Sequence, residues 1–359
     1  MYQSLLNLKI HKKWRLFLVA MAFLAILPSI QAFPGGTYTI NPSLAASSSN
    51  YRSFTAFAND LRNLTRGDGG AANYAIGGAG LQGNVTVNVS PGTYNERFIL
   101  TSIVGSQATR RVTINGNGAI LEFSPTLTTD AGVIDLNGTD FFTFNNLEVR
   151  MNQTTYGYCY WLRNGADNNI IKNNRLRCNN ITTTPNVGSA YIWMSNGTTS
   201  NLSGNSGNNN LIDSNDMRSG SGLNHGPYYG VNLQGNSTPA SANAGNNNIV
   251  SNNLIRDFHW SGVFHSATYG TIIRNNTITN QGRVGINSIK YGTYAVTCTF
   301  IMDNNRIFNL NGDIPLTSTI YPIFISMSST LVPIMESKIT NNWIFDFGTG
   351  LLQCYLFWN

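Results

Sequence analysis

The chain has 359 residues, enough for one large domain or two ordinary ones. Only 11% of the residues are charged, against about a quarter in an average soluble domain, while 42% are apolar. This composition excludes an intrinsically disordered chain, which needs low hydrophobicity and high net charge, and it predicts an all-β protein with many turns.

Residues 1–32 have the pattern of a signal peptide. Four basic residues precede an apolar run from Leu16 to Leu27, and the small residue Ala32 lies at the expected cleavage position. We therefore expect export, cleavage after Ala32, and a secreted or cell-surface location. A transmembrane anchor is the alternative, but this apolar run is short for a hydrocarbon layer of about 30 Å, so the mature protein is not expected to be transmembrane.

Removal of this segment changes the charge balance. The full chain has 22 Lys and Arg against 16 Asp and Glu, a net charge of +6. Four basic residues and no acids lie in residues 1–32, which leaves 18 against 16, or +2. The basic character of the chain therefore gives no support for a nucleic-acid partner, and we expect none.

Residues 33–84 are predicted to form an N-terminal strand and a capping helix. Phe54, Phe57, Leu61 and Leu64 recur at helical spacing after Ser53, a residue suited to the N-cap position. Because open sheet edges invite aggregation, we expect this helix from Ser53 to Leu64 to cover the first coil formed by residues 85–359.

Residues 85–359 contain a recurring unit of apolar residues, one polar residue and two asparagines. Counted by its first asparagine, the unit appears at Asn88, Asn115, Asn145, Asn173, Asn215, Asn252, Asn275, Asn304 and Asn341. The gaps run from 23 to 42 residues, with Gly/Ser/Asn-rich insertions in the longer ones. This period predicts an all-β fold, a right-handed parallel β-helix of about nine coils.

Asparagine suits the sharp turn that joins two strands of a coil. It is the best non-glycine residue for a left-handed backbone position, and stacked asparagine amides can hydrogen-bond from one coil to the next. The repeat therefore predicts an asparagine ladder along one edge of the solenoid.

Two segments of the chain resemble known β-helix proteins. The stretch Val85-Thr86-Val87-Asn88-Val89-Ser90-Pro91-Gly92-Thr93-Tyr94-Asn95-Glu96 resembles the first coil of pectin-lyase-like proteins. Gly36-Thr37-Tyr38-Thr39-Ile40, with the following Asn50 to Thr55, resembles the start of secreted or surface β-helix proteins of Bacteroidetes. The resemblance implies a fold that hosts lyases, hydrolases, adhesins and structural spacers, so function has to be argued from a site.

The mature chain has four cysteines: Cys159, Cys178, Cys298 and Cys354. None is spaced as C-x-x-C, which argues against a zinc or redox motif. Export permits disulfides, and Cys159 and Cys178 are placed to meet across one coil. The alternative is that they are small hydrophobic residues inside the coil.

An enzymatic hypothesis depends on a few ionisable residues. Asp213 aligns with Ile171 and Val250 of other repeats, an unusual place for a charge, whereas Asp216 aligns with a ladder asparagine. The densest ionisable group of the chain is Arg256, Asp257, His259 and His265, and it is followed by Arg283 and Lys290 one coil further on; its catalytic candidates are Asp257, His259, His265 and Lys290. These residues are candidates for the active site of a polysaccharide lyase or a glycoside hydrolase, which would act on an acidic polysaccharide or on one from plants or algae. Ca²⁺ is expected only if the protein is a lyase, and we expect no other cofactor or metal.

A second repeated element comes after the asparagine turns and contains an aromatic or basic residue, a glycine and an aliphatic residue. Alignment of its glycines places Tyr228, Trp260 and Arg283 in one column. A second column contains Asn232, Phe264 and Asn287. Such columns suit a linear polysaccharide or a cell-surface glycan, through ring stacking and hydrogen bonds; the alternative is that the rings only stabilise the solenoid.

The main hypothesis is a monomeric, non-catalytic glycan-binding, adhesion or structural protein.

Overall fold

The structure is a computed structural model that describes residues 33–73, 80–178, 181, 188–196, 206–219, 226–235, 245–280, 282–290, 300–310, 319–327, 337–346 and 356–358. The signal peptide lies outside these residues and stays a prediction. Within the described ranges, no helix is long and apolar enough to span a membrane.

The described residues form a right-handed parallel β-helix, which confirms the predicted fold class. Each of nine coils contributes one strand to each of three parallel sheets, and the first sheet begins with two additional N-terminal strands. The N-terminal elements are β1 (Gly36–Ile40), β2 (Asn50–Tyr51) and helix α1 (Phe54–Leu61).

The strands occur in the order first, second and third sheet within every coil. Coils 1 to 3 contain β3 (Val85–Val89), β4 (Thr93–Asn95), β5 (Phe98–Thr101), β6 (Val112–Asn115), β7 (Ile120–Phe123), β8 (Gly132–Asn137), β9 (Phe142–Asn145), β10 (Glu148–Met151) and β11 (Gly157–Arg163), with a 3-10 turn at Thr128–Asp130. Coils 4 to 6 contain β12 (Ile170–Lys172), β13 (Arg175–Arg177), β14 (Ser189–Met194), β15 (Leu211–Asp213), β16 (Asp216–Arg218), β17 (Tyr229–Gln234), β18 (Ile249–Ser251), β19 (Leu254–Arg256) and β20 (Ser261–Ser266). Coils 7 to 9 contain β21 (Thr271–Arg274), β22 (Thr277–Thr279), β23 (Val284–Lys290), β24 (Phe300–Asp303), β25 (Arg306–Phe308), β26 (Tyr321–Met327), β27 (Lys338–Thr340), β28 (Trp343–Phe345) and β29 (Leu356–Trp358).

Helix α1 packs on the first coil, as the sequence predicts. The Ser53 hydroxyl accepts a hydrogen bond from the Ala56 N–H at 2.9 Å, and the Phe54 ring lies 5.3 Å from the Phe98 ring of β5. The Glu96 carboxylate accepts hydrogen bonds from the N–H of Phe54, at 2.9 Å, and from the next N–H. Because a carboxylate at a helix N-terminus satisfies free N–H groups, Glu96 joins the first coil to its cap.

The helix is shorter than predicted. It ends at Leu61, and Leu64 is 47% exposed. The chain leaves the helix through Asn63, which has a left-handed φ of 59°, so the apolar spacing continues past the last helical turn without a helix to support it.

The two asparagines of each repeat have different roles. The first occupies the left-handed position, with φ between 52° and 57°, at Asn173, Asn252, Asn275, Asn304 and Asn341. The second forms the asparagine ladder, in which each side-chain Oδ1 accepts the backbone N–H of the equivalent residue in the coil before. The ladder runs through Asn174, Asn215, Asn253, Asn276, Asn305 and Asn342 at 2.9 to 3.1 Å.

The Asn253 rung shows how an interior position of this ladder is satisfied on both sides. The Asn253 Nδ2 donates to the Ile212 carbonyl at 2.9 Å and to the Asn276 Oδ1 at 3.0 Å. Its Oδ1 accepts from the backbone N–H and the Nδ2 of Asn215, at 2.9 and 3.0 Å. Because buried amides are costly when unpaired, this pattern fixes the register between coils.

A second, shorter ladder lies at the corner between the third and first sheets, and the sequence analysis missed it. The backbone N–H of Asn169 donates to the Asn210 Oδ1, and that of Asn210 to the Asn248 Oδ1, both at 2.9 Å. The residue before each of these asparagines is also an asparagine in the left-handed region. The asparagine runs that precede β12, β15 and β18 are the signal that would have identified this ladder.

The predicted alignment of the repeat was wrong by one residue in several coils. Ser214, with φ 56°, occupies the left-handed position of coil 5, so Asn215 is the second asparagine and not the first. Because this position is serine in coil 5, the pattern of two asparagines matched the sequence one residue too late. In coil 3, likewise, Asn145 pairs with Lys172, and Asn146 takes the left-handed position.

This shift corrects the predicted positions of two acids. Asp213 pairs with Lys172 and Ser251 on the outer side of the first sheet, whereas the interior position belongs to the fully buried Ile212. Asp216 pairs with Arg175 and lies outside the ladder. Neither acid therefore replaces a residue of the core or of the ladder.

Cys159 and Cys178 are free thiols inside the solenoid. The Cys159 Sγ donates to the carbonyls of Arg177 and Val149 at 3.3 and 3.5 Å. Both cysteines pack as small core residues, the second of the two predicted alternatives. Cys298 and Cys354 lie outside the described residues.

The glycines of the aligned third-sheet element lie where one coil contacts the next. A Cβ added to Gly262 would lie 2.5 Å from the Ile278 Cγ2 and 2.8 Å from the Gly285 carbonyl oxygen, and one added to Gly230 would lie 2.3 Å from the Gly262 carbonyl oxygen. Glycine is therefore required sterically at this inner corner of the coil.

Candidate functional site

The third sheet has an apolar cluster on its outer side, separate from the solenoid interior. Its largest members are Tyr158, Trp161, Trp193, Tyr229 and Phe264, which lie on four successive strands, β11, β14, β17 and β20. Their side chains are almost fully buried. An outward sheet face of a solenoid is commonly polar, so this face is distinguished by its large buried rings.

The predicted column of Asn232, Phe264 and Asn287 is present in the strand register. Asn232 of β17 pairs with Phe264 of β20, which pairs with Asn287 of β23. Trp193 of β14 precedes Asn232 in the same column. Neighbouring positions in such a column are separated by the strand spacing of about 4.8 Å.

The other predicted column contains Tyr228, Trp260 and Arg283 and lies just before these three strands. We call it the stacked ladder. The Tyr228 and Trp260 rings are stacked with centroids 5.7 Å apart and an interplanar angle of 8°. The Arg283 guanidinium carbon lies 4.5 Å from the centroid of the Trp260 ring. Burial raises the pKa of the Tyr228 phenol, while the charge of Arg283 acts in the opposite direction.

This stacking decides which surfaces of Trp260 remain available. Backbone hydrogen bonds connect Trp260 to Tyr228 of the coil before and to Arg283 of the coil after. The two neighbours therefore cover opposite faces of the indole. All three side chains are only partly buried, so part of each remains accessible to a partner.

Several polar atoms in and beside the column of Asn232, Phe264 and Asn287 are buried without hydrogen-bond partners. Among the described residues these are the Asn232 Nδ2 and Oδ1, the Gln234 Nε2, the Ser266 Oγ and the Asn287 Oδ1. The four residues, which we call the polar cluster, are at most 2% exposed. A buried polar group without a partner costs about 1–3 kcal/mol, so a group of five such atoms calls for an explanation.

Gln234 and Ser266 were not identified from the sequence. Gln234 pairs with Ser266, and each lies two residues after a member of the Asn232 and Phe264 column. Because side chains alternate along a strand, both belong to the same face as that column. This two-residue offset is the signal that would have found them.

Asp213, the first catalytic candidate, is engaged in hydrogen bonds on the first sheet. Its carboxylate accepts from the Ser251 hydroxyl at 2.6 Å, the Asn252 Nδ2 at 2.7 Å and the Ser214 hydroxyl at 3.0 Å. Burial alone would raise the pKa of Asp213, but these hydrogen bonds and the charge of Arg274 lower it overall. A carboxylate with a lowered pKa, occupied by turn donors, is unsuited to act as a general acid.

Asp257 and His259 lie in the turn that leads into β20. The buried Asp257 carboxylate accepts from the Arg256 Nε at 3.2 Å and from the Asn280 Nδ2. The His259 ring lies 5.6 Å from the Tyr228 ring and thus beside the stacked ladder. Of the catalytic candidates, His259 is the one that the structure places at this ladder.

His265 is directed elsewhere. Its ring lies inside the coil, 5.4 Å from the Phe300 ring, and its Nδ1 is 3.4 Å from the Thr268 hydroxyl. Burial lowers the pKa of His265 to about 4, so the ring is neutral at physiological pH. The side chain of Lys290 lies outside the described residues.

The described residues contain no group of three or more His, Cys, Asp or Glu side chains that is arranged to hold a metal ion. Asp213 lies on the first sheet, whereas Asp257 lies in the turn between the second and third sheets. The two acids are therefore engaged with different partners in different parts of the coil.

A second surface feature lies on coil 9. A hollow of about 460 Å³ is lined by Arg306, Trp343, Ile344 and Phe345, and Trp343 is 64% exposed. Ile344 pairs with Ile307, which is fully buried in coil 8. The hollow is thus formed by outer residues of the second sheet together with an interior position of the last described coil.

No protein-family model and no curated protein matches the chain. The assignment of function therefore depends on the geometry of the third sheet.

Proposed function

We propose that the chain is an exported, non-catalytic glycan-binding protein of the cell surface or the secreted fraction, and that it binds polysaccharide along the outer face of the third sheet. The observation that carries this proposal is the stacked ladder of Tyr228, Trp260 and Arg283 over coils 5 to 7, whose side chains are partly exposed. The column of Asn232, Phe264 and Asn287 runs beside it but is at most 6% exposed, so it lies beneath the surface that a glycan can reach.

The spacing of these columns suits a linear polymer of sugars. Successive coils are about 4.8 Å apart, which is close to the length of one pyranose unit. The Trp260 faces are occupied by the stack, so the ladder offers ring edges and the Arg283 guanidinium. Arg283 is partly exposed, and sugar hydroxyls can accept hydrogen bonds from the N–H groups of its guanidinium.

The environment of the catalytic candidates supports binding over catalysis. Asp213 and Asp257 accept hydrogen bonds from turn residues, and His265 faces the interior of the coil. Acid–base cleavage of a glycosidic bond needs two carboxyl groups about 5–10 Å apart on either side of the substrate. The polar groups of the partly exposed stacked ladder are instead the Tyr228 phenol, the Trp260 indole N–H and the Arg283 guanidinium.

Export is part of the same proposal. Residues 1–32 have the pattern of a signal peptide. The first coil resembles that of pectin-lyase-like proteins, and the N-terminal segment before it resembles the start of surface β-helix proteins of Bacteroidetes. A binding solenoid of this kind acts as a monomer that displays its long face to a polysaccharide or a cell-surface glycan.

A glycan array with the full chain tests this proposal. We expect binding to a subset of glycans and a loss of about tenfold or more in Trp260→Ala, because central aromatic residues dominate binding surfaces. Trp343→Ala is the matched control, since Trp343 is exposed on the second sheet of coil 9, and it should bind as the unaltered protein does.

Two results would contradict the proposal. One is equal binding by the Trp260→Ala and unaltered proteins, which would remove the ladder from the site. The other is the appearance of new unsaturated ends, or of new reducing ends, when the protein is incubated with a bound polysaccharide, because either product demonstrates cleavage.

A further inference from the structure

The outer face of the first sheet changes character at coil 4. Each strand of this sheet has two outward positions, two residues apart, and the strand pairing aligns them from coil to coil in two columns. From β1 to coil 3 the first column contains only threonine: Thr37, Thr86, Thr113 and Thr143. From coil 4 to coil 8 it contains only aliphatic residues, which we call the aliphatic stripe: Ile170, Leu211, Ile249, Ile272 and Ile301.

The needs of the strands do not explain the aliphatic stripe. Threonine and isoleucine are both β-branched and both favour strands, so threonine would serve in coils 4 to 8 as it does in the coils before. Each member of the stripe keeps accessible surface, and Ile301 is 37% exposed. A continuous row of aliphatic side chains on an accessible sheet face is typical of a contact surface.

Charged side chains alternate in the second column, beside the aliphatic stripe. From coil 4 to coil 8 this column contains Lys172, Asp213, Ser251, Arg274 and Asp303. The order of charges is thus positive, negative, neutral, positive and negative, and reading it backwards exchanges every charge for its opposite. The centre of the pattern is in coil 6, which also holds the middle residue of the aliphatic stripe.

We propose that the first sheet packs face to face on the first sheet of a second copy of the chain, with the two solenoid axes antiparallel and a two-fold axis through coil 6 parallel to the strands. Such a contact is isologous, because both copies use the same surface, and it requires a surface that is complementary to itself. This inference goes beyond the proposed function, since glycan binding is assigned to the third sheet. The single chain remains the unit that binds glycan.

The two-fold axis brings opposite charges together. It places coil 4 of one copy on coil 8 of the other, and coil 5 on coil 7. Lys172 then lies opposite the partner's Asp303, and Asp213 lies opposite the partner's Arg274, while the two aliphatic stripes lie along each other. Among the residues that the structure describes, Lys172 and Arg274 form no salt bridge within their own chain, so both cations are available to a partner.

Other arrangements bring like charges together. A shift of the axis to the midpoint between coils 6 and 7 places Asp213 opposite the partner's Asp303, and a shift to the midpoint between coils 5 and 6 places Lys172 opposite the partner's Arg274. A two-fold axis along the solenoid would lay the aliphatic stripe on the charged column. Because contacts between like charges and burial of unpaired charges are both unfavourable, the charge pattern selects one register.

The size of the contact limits its strength. Coils 3 to 9 of one copy face coils 9 to 3 of the other, a length of roughly 30 Å at about 4.8 Å per coil. Lys338 of coil 9 then lies opposite the neutral Thr143 of coil 3. A face only two outward positions wide is at the lower end of the size range of specific interfaces, so we expect a reversible dimer with a dissociation constant on the order of 10 μM. The dilute chain is then a monomer, and the dimer forms where the protein is concentrated.

Sedimentation of the full chain over a range of concentrations measures this association. We expect the mass to change from that of one chain to that of two around the dissociation constant. The double variant Ile249→Thr and Ile272→Thr restores the residue type of coils 1 to 3, so it should keep its melting temperature and weaken the dimer by at least about tenfold. Leu254→Thr is the matched control, because Leu254 is a partly exposed outward residue of coil 6 on the second sheet, and it should associate as the unaltered chain does.

Charge variants test the register. Lys172→Glu with Arg274→Glu makes the charged column wholly negative, whereas Asp213→Lys with Asp303→Lys makes it wholly positive. Each double variant should be monomeric alone, and an equimolar mixture of the two should form dimers. The threonine double variant keeps the test decisive if a charge variant fails to fold, since Asp213 and Asp303 also accept hydrogen bonds within the chain.

Three results would overturn the inference. One is the mass of a single chain at every concentration up to roughly 0.5 mM. Another is a dimer that the threonine double variant leaves intact, because association would then use a different face. The third is a wholly negative variant that pairs with itself as strongly as with the wholly positive one. The sedimentation is measured without glycan, so its result is independent of the glycan array.

Discussion

Replacement of Asn253 by aspartate tests the asparagine ladder as the element that fixes the register of the coils. The change keeps the size of the side chain but removes the Nδ2 group, which donates to the Ile212 carbonyl and the Asn276 Oδ1. The ionised carboxylate would then face two oxygen atoms at about 3 Å in a fully buried position. Its pKa is therefore expected to rise above that of an unfolded aspartate.

The magnitude can be worked out from that shift. One carboxylate oxygen would keep the two donors of Asn215, while the other would face two acceptors. An unfolded aspartate has a pKa near 3.9, and burial of a carboxylate in this arrangement raises the pKa by about 3 units, which corresponds to roughly 4 kcal/mol. A group whose pKa is raised in the folded state is tolerated below the unfolded pKa and destabilises progressively as pH increases. We expect Asn253→Asp to lose about 1 kcal/mol at pH 4 and roughly 4–5 kcal/mol at pH 7.5.

Urea unfolding monitored by circular dichroism at both pH values measures this difference. Asn275→Asp is the matched control, because Asn275 is the exposed first asparagine of the next coil and its Oδ1 already accepts from the Asn304 Nδ2. The control should stay within about 0.5 kcal/mol of the unaltered protein. If Asn253→Asp shows the same loss at pH 4 and pH 7.5, the ladder does not exclude charge and the reasoning is refuted.

Three further predictions concern other parts of the solenoid. The pKa of His265 falls from 6.5 to about 4 on folding. The neutral ring should therefore contribute about 3 kcal/mol to stability above pH 6.5, and this contribution is lost as the pH falls from 6.5 to 4. The loss should be absent from the urea-unfolding pH profile of His265→Gln, and an unchanged profile would contradict the prediction. Gly262→Ala should destabilise by about 1–3 kcal/mol in urea unfolding, because its Cβ would meet Ile278 and the Gly285 carbonyl; a change below about 0.5 kcal/mol would show that the corner relaxes. Asp213→Ala should destabilise the protein by about 1–3 kcal/mol and leave glycan binding unchanged, because the Asp213 carboxylate accepts hydrogen bonds from Ser214, Ser251 and Asn252 on the first sheet. Loss of binding on the glycan array would place Asp213 in the binding site instead.

The period of the asparagine unit was enough to predict the fold. A strand of three or four residues has no stability alone, so a repeat of such strands requires stacking, and the left-handed turn residue identifies where each coil bends. The same signal could not fix every register. At Ser214 the turn residue changed identity while its backbone conformation stayed the same, and only φ reveals the equivalence.

The candidate site was predictable only in part. The columns of Trp260 and Asn232 could be found by glycine alignment, because Gly230 and Gly262 are fixed by contact between coils. The burial of Asn232 and the missing partners of Gln234 depend on what packs over the outer face, and strand periodicity carries no information about that. The covering of both faces of the indole by Tyr228 and Arg283 likewise became visible only in the packed structure.

The hydrogen bonding of the asparagine turns also bears on how such a chain ages chemically. Asparagine deamidates when the backbone nitrogen of the following residue attacks the side-chain carbonyl and closes a succinimide ring. After Asn252 that nitrogen belongs to Asn253 and donates to the Asn276 Oδ1 of the next coil at 3.0 Å, and the nitrogen after Asn275 is held in the same way at 3.1 Å. Ring closure would require this bond to break and the rigid turn to change conformation, so the paired asparagines protect each other from a reaction to which an asparagine-rich protein would otherwise be prone.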